Sequence, residues 1–255
     1  MRAGRREGGA PLGYNTYFET VEKICARIGK TQRGNLETAA QMMADTIMGD
    51  GIIHAFGAGH SHILAEELFC RAGGLGCVNG ILEPALMPHS GFDKSSRLER
   101  VPEVARLVFE DEDIRKGDLV IAASHSGINP VVVEFAALTR ERGVPLIAIT
   151  SLEHSMATPS RHASGKKLYE LASVAIDTGC PLGDAAMEVN GLPTKVAPMS
   201  TMAGVVIVQA LVYLSVAQMA LRGFDPPLRV SRNLAGRERG NLQFKERYGS
   251  RIKRF

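Results

Sequence analysis

The stretch that decides the fold is DLVIAASHSGIN, residues 118–129, which precedes a helical pattern running from about residue 130 to residue 142. A short apolar run bounded by turn residues is typical of a buried strand. We therefore predict a strand, a hydroxyl-rich turn and a helix N-terminus. Such a turn presents unpaired backbone N–H groups and the positive end of the helix dipole beside the hydroxyls of Ser124 and Ser126. This arrangement is suited to phosphate, and because the turn contains no Lys or Arg, we expect dipoles and hydroxyls to hold the anion.

The same design occurs earlier in the chain. GIIHAF (51–56) predicts a strand, GAGHSH (57–62) a turn, and residues 63–73 a helix. The two glycines allow a tight turn and close backbone approach. A Gly-x-Gly pair also opens dinucleotide-binding folds, but the third glycine of that fingerprint falls on Leu64, and no acidic residue follows at the distance of a ribose ligand. We therefore predict no nicotinamide or flavin cofactor.

The segments FGAGHSHILAEEL (56–68) and SHSGINP (124–130) resemble the sugar isomerase (SIS) domain, a family that binds phosphosugars, usually for isomerisation. The resemblance covers nearly the whole chain from Tyr14 to Ala220, and SLEHS (151–155), PSRHASGK (159–166) and PMST (198–201) look like a branch of bacterial sugar-isomerase-domain proteins. It implies the SIS fold and a sugar phosphate ligand.

Alternating strands and helices independently predict an α/β protein with a parallel sheet and helices on both faces. The apolar runs predict five strands, near residues 52–56, 76–82, 119–123, 146–149 and 174–176. We therefore expect a three-layer α/β/α sandwich with a five-stranded parallel sheet and N-terminal helices. The predicted organisation is a disordered N-terminus (1–13), one SIS domain (14–227) and a basic C-terminal tail (228–255).

The net charge of +3 is unevenly distributed, because residues 228–255 hold nine Arg or Lys and only two Glu. A basic tail can indicate nucleic-acid binding. This tail, however, contains Leu242, Phe244, Tyr248 and Ile252 at near-helical spacing. We expect it to dock on an acidic body or on a neighbouring subunit, with no nucleic acid as partner.

Cellular location and assembly are predicted from weaker signals. The four cysteines form no C-x-x-C pair and no signal peptide opens the chain, which favours reduced thiols in a cytoplasmic protein. Residues 202–221 are uncharged and long enough to span a membrane, but Gln209 and Gln218 interrupt them. We expect a helix buried in the core or in a subunit interface, no membrane contact, and a homodimer or homotetramer.

In such sheets ligands bind at the carboxyl ends of the strands. The phosphate- and sugar-binding candidates at that position are Gly59, Ser61, Ser124, His125, Ser126, Gly127 and Asn129. Ser200 and Thr201, which precede the long last helix, resemble a third polar contact of the family. For all the hydroxyls the alternative is that they only cap helices.

Two glutamates compete as the acid–base residue. Helix phase places Glu67 at the edge of the apolar face and turns Glu66 outward, so Glu67 is the more desolvated. The resemblance to phosphoheptose isomerases, which carry an acid–base glutamate in a similar Ala-Glu-Glu-Leu string, implies the same residue. A surface ion pair with Arg71 is the alternative, and Glu83, at the end of the second strand, is the rival.

Among the histidines, His154 and His62 are the leading candidates for a second proton carrier. Zinc-binding phosphoheptose isomerases place a histidine four residues before that glutamate. This position is Ile63 here, so we predict no metal site.

The sequence therefore favours a phosphosugar-binding protein that isomerises an aldose and a ketose phosphate through an enediol, without a cofactor. Two alternatives remain open: a non-catalytic phosphosugar sensor, and a phosphosugar lyase or etherase, which would use almost the same groups.

Overall fold

The computed structural model describes residues 13–233 and 241–255, so the predicted disorder of residues 1–12 and part of the basic tail lie outside the described residues. The helices are α1 (Tyr14–Thr31), α2 (Arg33–Met48), α3 (His62–Leu68), α4 (Phe92–Leu98), α5 (Pro102–Asp111), α6 (Pro130–Glu141), α7 (Leu152–Ala157), α8 (Leu168–Leu171), α9 (Ser200–Leu221) and α10 (Leu242–Tyr248). The strands are β1 (Ile53–Gly57), β2 (Val78–Ile81), β3 (Leu119–Ala123), β4 (Leu146–Thr150), β5 (Val174–Asp177), β6 (Ala185–Met187) and β7 (Val196–Pro198).

The predicted five-stranded parallel sheet is confirmed. Its order is β2-β1-β3-β4-β5, and every neighbouring pair is parallel. The short strands β6 and β7 form a separate antiparallel hairpin.

Both faces of the sheet are covered, as the alternation along β3 illustrates. Leu119, Ile121 and Ala123 belong to the core cluster on the side of α2, α3 and α9, whereas Val120 and Ala122 belong to the cluster on the side of α5 and α6. Successive strand residues point to opposite faces, so a strand apolar at every position is buried on both sides. The three-layer α/β/α sandwich is thus confirmed.

The long helix α9 packs through residues such as Ile207 and Leu211 against α2 and α3. By length and composition it is also the one helix of the described residues that could cross a membrane, with a mean hydropathy of 1.9, and 39% of that window is buried within the chain. Its opposite side is exposed at Val206, Tyr213 and Leu221.

The helix after the first turn is shorter than predicted: α3 ends at Leu68, not near residue 73. Cys70 adopts a positive φ of 52°. The chain beyond it pairs with a distant segment, since the Gly73 N–H donates to the Arg229 carbonyl and the Arg229 N–H to the Gly74 carbonyl. The chain is thus already extended at Phe69 and is joined to the C-terminal segment where the predicted helix would have continued.

The described part of the C-terminal segment lies on the body of the same chain. Phe244, Tyr248 and Ile252, four residues apart, are buried in the core cluster on the α9 side. Basic side chains pair with acidic ones of the body, namely Arg247 with Asp50 (2.6 Å), Arg251 with Asp118 (2.6 Å), Lys253 with Asp111 (2.7 Å) and Arg254 with Glu112 (2.7 Å).

Asp118 is the centre of a buried polar network at the amino ends of the strands. Its carboxylate lies 3.2 Å from the His54 Nε2 and accepts the N–H groups of Ile52 and Arg115 in addition to the Arg251 guanidinium. Burial alone would raise the pKa of Asp118, but the hydrogen bonds outweigh it and lower the pKa to about 2. The charged form of Asp118 therefore stabilises the fold and fastens the C-terminal segment.

We expect Asp118→Asn to lower the free energy of unfolding at pH 7 by about 2–3 kcal/mol, because the folded protein binds the proton less tightly than the unfolded chain. The pKa of Asp118 lies below its ordinary value of 3.8, so this stabilisation is present above that pH and is lost as pH falls towards about 2. Urea unfolding of wild type and variant across this range measures it. The exposed Asp225→Asn is the control, and equal losses from the two variants would contradict the role of the network.

Candidate functional site

The two predicted turns meet at one point of the sheet. β1 and β3 are neighbours, with Gly57 opposite Ala123, yet the chain leaves β1 towards β2 on one side and leaves β3 towards β4 on the other. Ligands of open α/β sheets bind outside the carboxyl ends of the strands at such a switch point.

A pocket of about 300 Å³ opens there. Among the described residues, its polar lining is rich in hydroxyls and titratable groups and contains no Lys or Arg. It includes Ser61, Ser95, Ser96, Ser124, Ser126 and Ser200 together with His60, Glu99, His125, Asn129, His154 and Asp184. A small deeper recess adds Thr201 and Thr178 to Ser61, Ser124 and Ser200. The structure thus brings together most of the predicted binding residues, from both turns and from the start of α9.

The turn at residues 124–129 is fixed by hydrogen bonds that its carbonyl groups accept from neighbouring parts of the chain. The His125 carbonyl accepts from the Ser151 N–H and the Thr150 hydroxyl, and the Gly127 carbonyl accepts from the Leu168 N–H. The N–H groups of His125 and Ser126, in contrast, donate to no acceptor within residues 13–233 and 241–255. The turn therefore offers unpaired donors beside the Ser126 hydroxyl, as an anion site requires.

Gly127 makes this turn possible. Its φ is +64°, and a Cβ added to it would lie 2.9 Å from the Thr150 Oγ1 and 3.1 Å from the Ser155 Oγ. Its N–H donates to the Ser124 Oγ (3.1 Å), which locks the turn. Both the conformation and the surroundings thus demand glycine.

At the start of α9, Asp184 acts as the cap. Its carboxylate accepts the N–H groups of Met199 and Ser200 and, at 2.6 Å, the Ser200 hydroxyl. The sequence analysis left open whether Ser200 caps the helix or binds a ligand. The helix is capped by Asp184 and not by Ser200, and the Ser200 side chain lines the pocket. The sequence analysis did not single out Asp184.

Two histidines form an edge-to-face pair on the pocket wall, with ring centroids of His125 and His154 4.8 Å apart. Burial lowers the pKa of both rings. The His154 Nδ1 accepts from the Gly183 N–H (3.3 Å), so the neutral ring carries its proton on Nε2. Both ring nitrogens of His125 are buried and make no well-formed hydrogen bond among the described residues, and an interaction with the Pro181 backbone opposes the lowering of the His125 pKa by burial.

Glu99 is a second carboxylate of the pocket that the sequence analysis did not single out. Its Oε2 accepts from the Asn129 Nδ2 at 2.7 Å. Burial raises its pKa, and the Asn129 hydrogen bond and the charges of Arg100, Arg161 and His60 oppose that rise. In the sequence, Glu99 lies in the long segment between the second and third predicted strands, and no motif marks it.

The glutamates predicted to be catalytic do not line this pocket. Glu67 is 14% exposed against 51% for Glu66, as helix phase predicted, but its carboxylate pairs with Arg71 (2.8 Å) and Gln209 (2.6 Å) on the α9 side. Glu83 accepts from the Ala85 N–H and lines a different groove, beside α5 and Arg254.

His62, the other predicted proton carrier, is buried at the start of α3 behind the pocket. Its Nδ1 contacts the Gly59 carbonyl, and its ring lies 6.0 Å from that of His89. It orders the first turn, and of the two predicted histidines only His154 lines the pocket. No group of three or more His, Cys, Asp or Glu in the described part of the chain is arranged to hold a metal ion.

Comparison with known proteins places the chain among sugar-isomerase-domain proteins. The family model of the SIS domain matches residues 16–151. A UPF0309 protein of Geobacillus kaustophilus is 40% identical over 93% of this chain and 95% of its own length. Similar solved structures include a phosphoheptose isomerase from Francisella tularensis (TM-score 0.53, 13% identity, 79% of this chain and 95% of that one). Another is the Vibrio vulnificus NanR protein complexed with ManNAc-6P (TM-score 0.51, 17% identity, 82% of this chain and 64% of that one).

We expect Gly127→Ala to lower the free energy of unfolding by about 1–3 kcal/mol more than Gly223→Ala. Both substitutions place an alanine at a φ near +70°, but a Cβ at Gly223 has nothing within 4 Å, whereas a Cβ at Gly127 meets Thr150. Chemical denaturation of the two variants isolates the steric part. Equal destabilisation would show that the turn is not tightly held by β4.

Proposed function

The chain belongs to the SIS-domain family, and on that premise we propose that it binds a sugar phosphate in the pocket between β1 and β3 and interconverts its aldose and ketose forms. The observation that carries the proposal is the meeting of two serine-bearing turns at the switch point of the sheet.

The phosphate binds at the turn after β3. The free N–H groups of His125 and Ser126 and the Ser126 hydroxyl are donors, and α6 begins directly after the turn. Its dipole favours an anion there. Ser61, Ser124 and Thr201, which line the deeper recess, complete a set of hydroxyls around the phosphate.

The sugar occupies the wider part of the pocket. The polar side chains that line this part, among them Ser95, Ser96, Asn129 and His154, support this placement, because they can exchange hydrogen bonds with sugar hydroxyls. The neutral His154 ring presents its Nε2–H as a donor, a suitable partner for the carbonyl oxygen of an open-chain sugar.

Aldose–ketose isomerisation fits this set of groups. The reaction needs a held phosphate, a carboxylate that moves a proton between neighbouring carbons, and a donor to the carbonyl oxygen. A non-catalytic sensor is the alternative, and the NanR protein, which has a similar fold, is complexed with the sugar phosphate ManNAc-6P. Incubation with hexose, pentose and heptose phosphates in D₂O, followed by NMR for product and for deuterium at carbon, separates isomerase from sensor. A lyase or etherase would instead release a second product.

We expect millimolar sugar phosphates to raise the melting temperature, since a ligand of the folded state stabilises it. Ser126→Ala should weaken binding by about 1–2 kcal/mol, or roughly 5–30-fold in Kd, the scale of one hydrogen bond to a charged group. Thermal shift against ligand concentration measures both effects. The exposed Ser250→Ala is the control. No shift with any sugar phosphate would contradict the proposed binding.

We further propose a homodimer that covers the exposed side of α9. Tyr213 on that side is 72% exposed, and the uncharged 22-residue helix leaves much of its apolar surface uncovered. A second copy is favoured over a membrane, because Gln209 and Gln218 interrupt the apolar surface. Closed two-fold symmetry is the commonest arrangement for such a contact.

Tyr213→Arg should weaken the dimer by about 30-fold or more, because it places a charge at the centre of the apolar contact. Leu107→Arg on α5, where the leucine is 68% exposed, is the matched control and should leave the dimer intact. Sedimentation velocity at micromolar concentration gives the answer. A wild-type monomer, or equal behaviour of the two variants, would overturn the assigned face.

A further inference from the structure

We propose that Glu99 is the catalytic residue that moves the proton in this pocket, and that Asn129 and Arg161 are positioning residues for its carboxylate. The assignment rests on the proposed isomerase function and differs from the expectation that Glu67 does this work.

Glu99 is held at the pocket by its main chain and side chain together. It caps the C-terminus of α4, its N–H donates to the Ser95 carbonyl, and its own carbonyl accepts from the Val131 N–H in the first turn of α6 (3.1 Å). The helix that carries the phosphate turn therefore also fixes the glutamate. The phosphate turn and Glu99, whose relative position an isomerase must keep fixed, are thus connected through α6.

The two carboxylate oxygens of Glu99 have different surroundings. Oε2 accepts from Asn129, whereas Oε1 has no hydrogen-bond donor among the described residues. Oε1 lies beside Gly59, 2.7 Å from where a Cβ would be, so a side chain at position 59 would displace this oxygen from its present place. One oxygen is thus anchored and the other is free to take a proton from a ligand.

Arg161 fixes the orientation of the Asn129 amide. Its guanidinium only donates, and its Nη1 lies 2.8 Å from the Asn129 Oδ1, so the Asn129 Nδ2 must face Glu99. The Arg161 N–H donates to the Ile128 carbonyl (3.0 Å), which places the arginine at the end of the phosphate turn. Asn129 makes no side-chain capping bond to α6, so its amide is available for this role.

The electrostatics of the site suit a base. Burial raises the pKa of Glu99 towards the pH of catalysis, while Asn129, Arg161, Arg100 and His60 keep the charged form accessible. Glu67, in contrast, is already bound by Arg71 and Gln209 and lies outside the pocket.

The proton transfer balances without a co-reactant. The Glu99 carboxylate takes the proton from the carbon next to the carbonyl, and the C–H electron pair forms the C=C bond of the enediol. The carbonyl π electrons move to its oxygen, which receives a proton from the His154 Nε2–H. Glu99 then returns its proton to the former carbonyl carbon, and the ring nitrogen regains a proton from the hydroxyl of the neighbouring carbon as that becomes the new carbonyl.

Glu99→Gln keeps the shape and the contact with Asn129 but removes the base. We expect isomerisation and deuterium exchange at carbon to fall by about 10²–10⁴-fold, with the thermal shift by the sugar phosphate retained. Glu67→Gln tests the competing residue, and the exposed Glu103→Gln on α5 is the control; both should keep their turnover. Melting temperatures without ligand show that each variant is folded.

Asn129→Ala tests the positioning role through the pH profile of the reaction, which a merely structural role of Asn129 would leave unchanged. In the wild type, the hydrogen bond from Asn129 favours the charged form of Glu99. Its removal should therefore raise the pKa of Glu99 and move the acid limb of kcat/KM to higher pH by about one unit. Arg161→Gln, which retains an amide donor but no charge, should move the limb in the same direction by less. An unmoved limb in both variants would overturn the positioning role.

The remaining outcomes separate the two proposals. If the wild type binds no sugar phosphate, or binds one without turnover or exchange, the proposed isomerase function is wrong and the assignment of Glu99 with it. If the wild type turns over and Glu99→Gln is as active, only the assignment of Glu99 is wrong. Loss of activity in Glu67→Gln alone would move the acid–base residue to the α9 side.

Discussion

The pairing of β1 with β3 is the constraint on which the rest of the structure depends. Because Gly57 lies opposite Ala123 while the chain departs in opposite directions, the turns after the two strands must share one space. The other groups of the pocket are placed around that space. Helix α6 starts from the second turn, and Glu99 at the end of α4 bonds to α6. Asp184 fixes the start of α9 beside the two turns. A slip of one residue in this register would turn the side chains of β1 to the other face of the sheet and separate the turns.

The two ends of the sheet differ in how their charged side chains are arranged. At the amino ends, arginines and carboxylates such as Arg251 and Asp118 form close ion pairs that fasten the C-terminal segment. At the carboxyl ends, the described residues that line the pocket include carboxylates, histidines and serines but no Lys or Arg. In the proposed function, N–H groups and hydroxyls would hold the phosphate there, and these neutral donors would do so without pairing with the nearby Glu99 carboxylate. The ion pairs that fasten the C-terminal segment and the groups of the proposed site thus lie at opposite edges of one sheet.

The sheet and the phosphate turn were predictable because their signals are local: the predicted bounds of β3 match the structure, and the Ser-x-Ser-Gly turn follows directly. The end of α3 was not predicted correctly, because Phe69 and Ala72 continue the apolar face of the helical pattern, whereas Gly73 and Gly74 pair with Arg229, which is distant in sequence. Helix phase ranked the burial of Glu67 and Glu66 correctly but could not reveal that Arg71 and Gln209 cover Glu67. Glu99 stands between Leu98 and Arg100 in a stretch without a recognisable motif, and its contacts with Asn129 and Val131, which are distant in sequence, place it in the pocket.

The most direct test of the central claim is the position of the phosphate, read from backbone amide chemical shifts of the isotope-labelled protein during titration with a sugar phosphate and, separately, with the unphosphorylated sugar. The account predicts that only the phosphorylated ligand strongly shifts the N–H signals of His125 and Ser126, with smaller changes at Ser61 and Thr201. Large shifts confined to another region, such as the groove between Glu83 and Arg254, would contradict it.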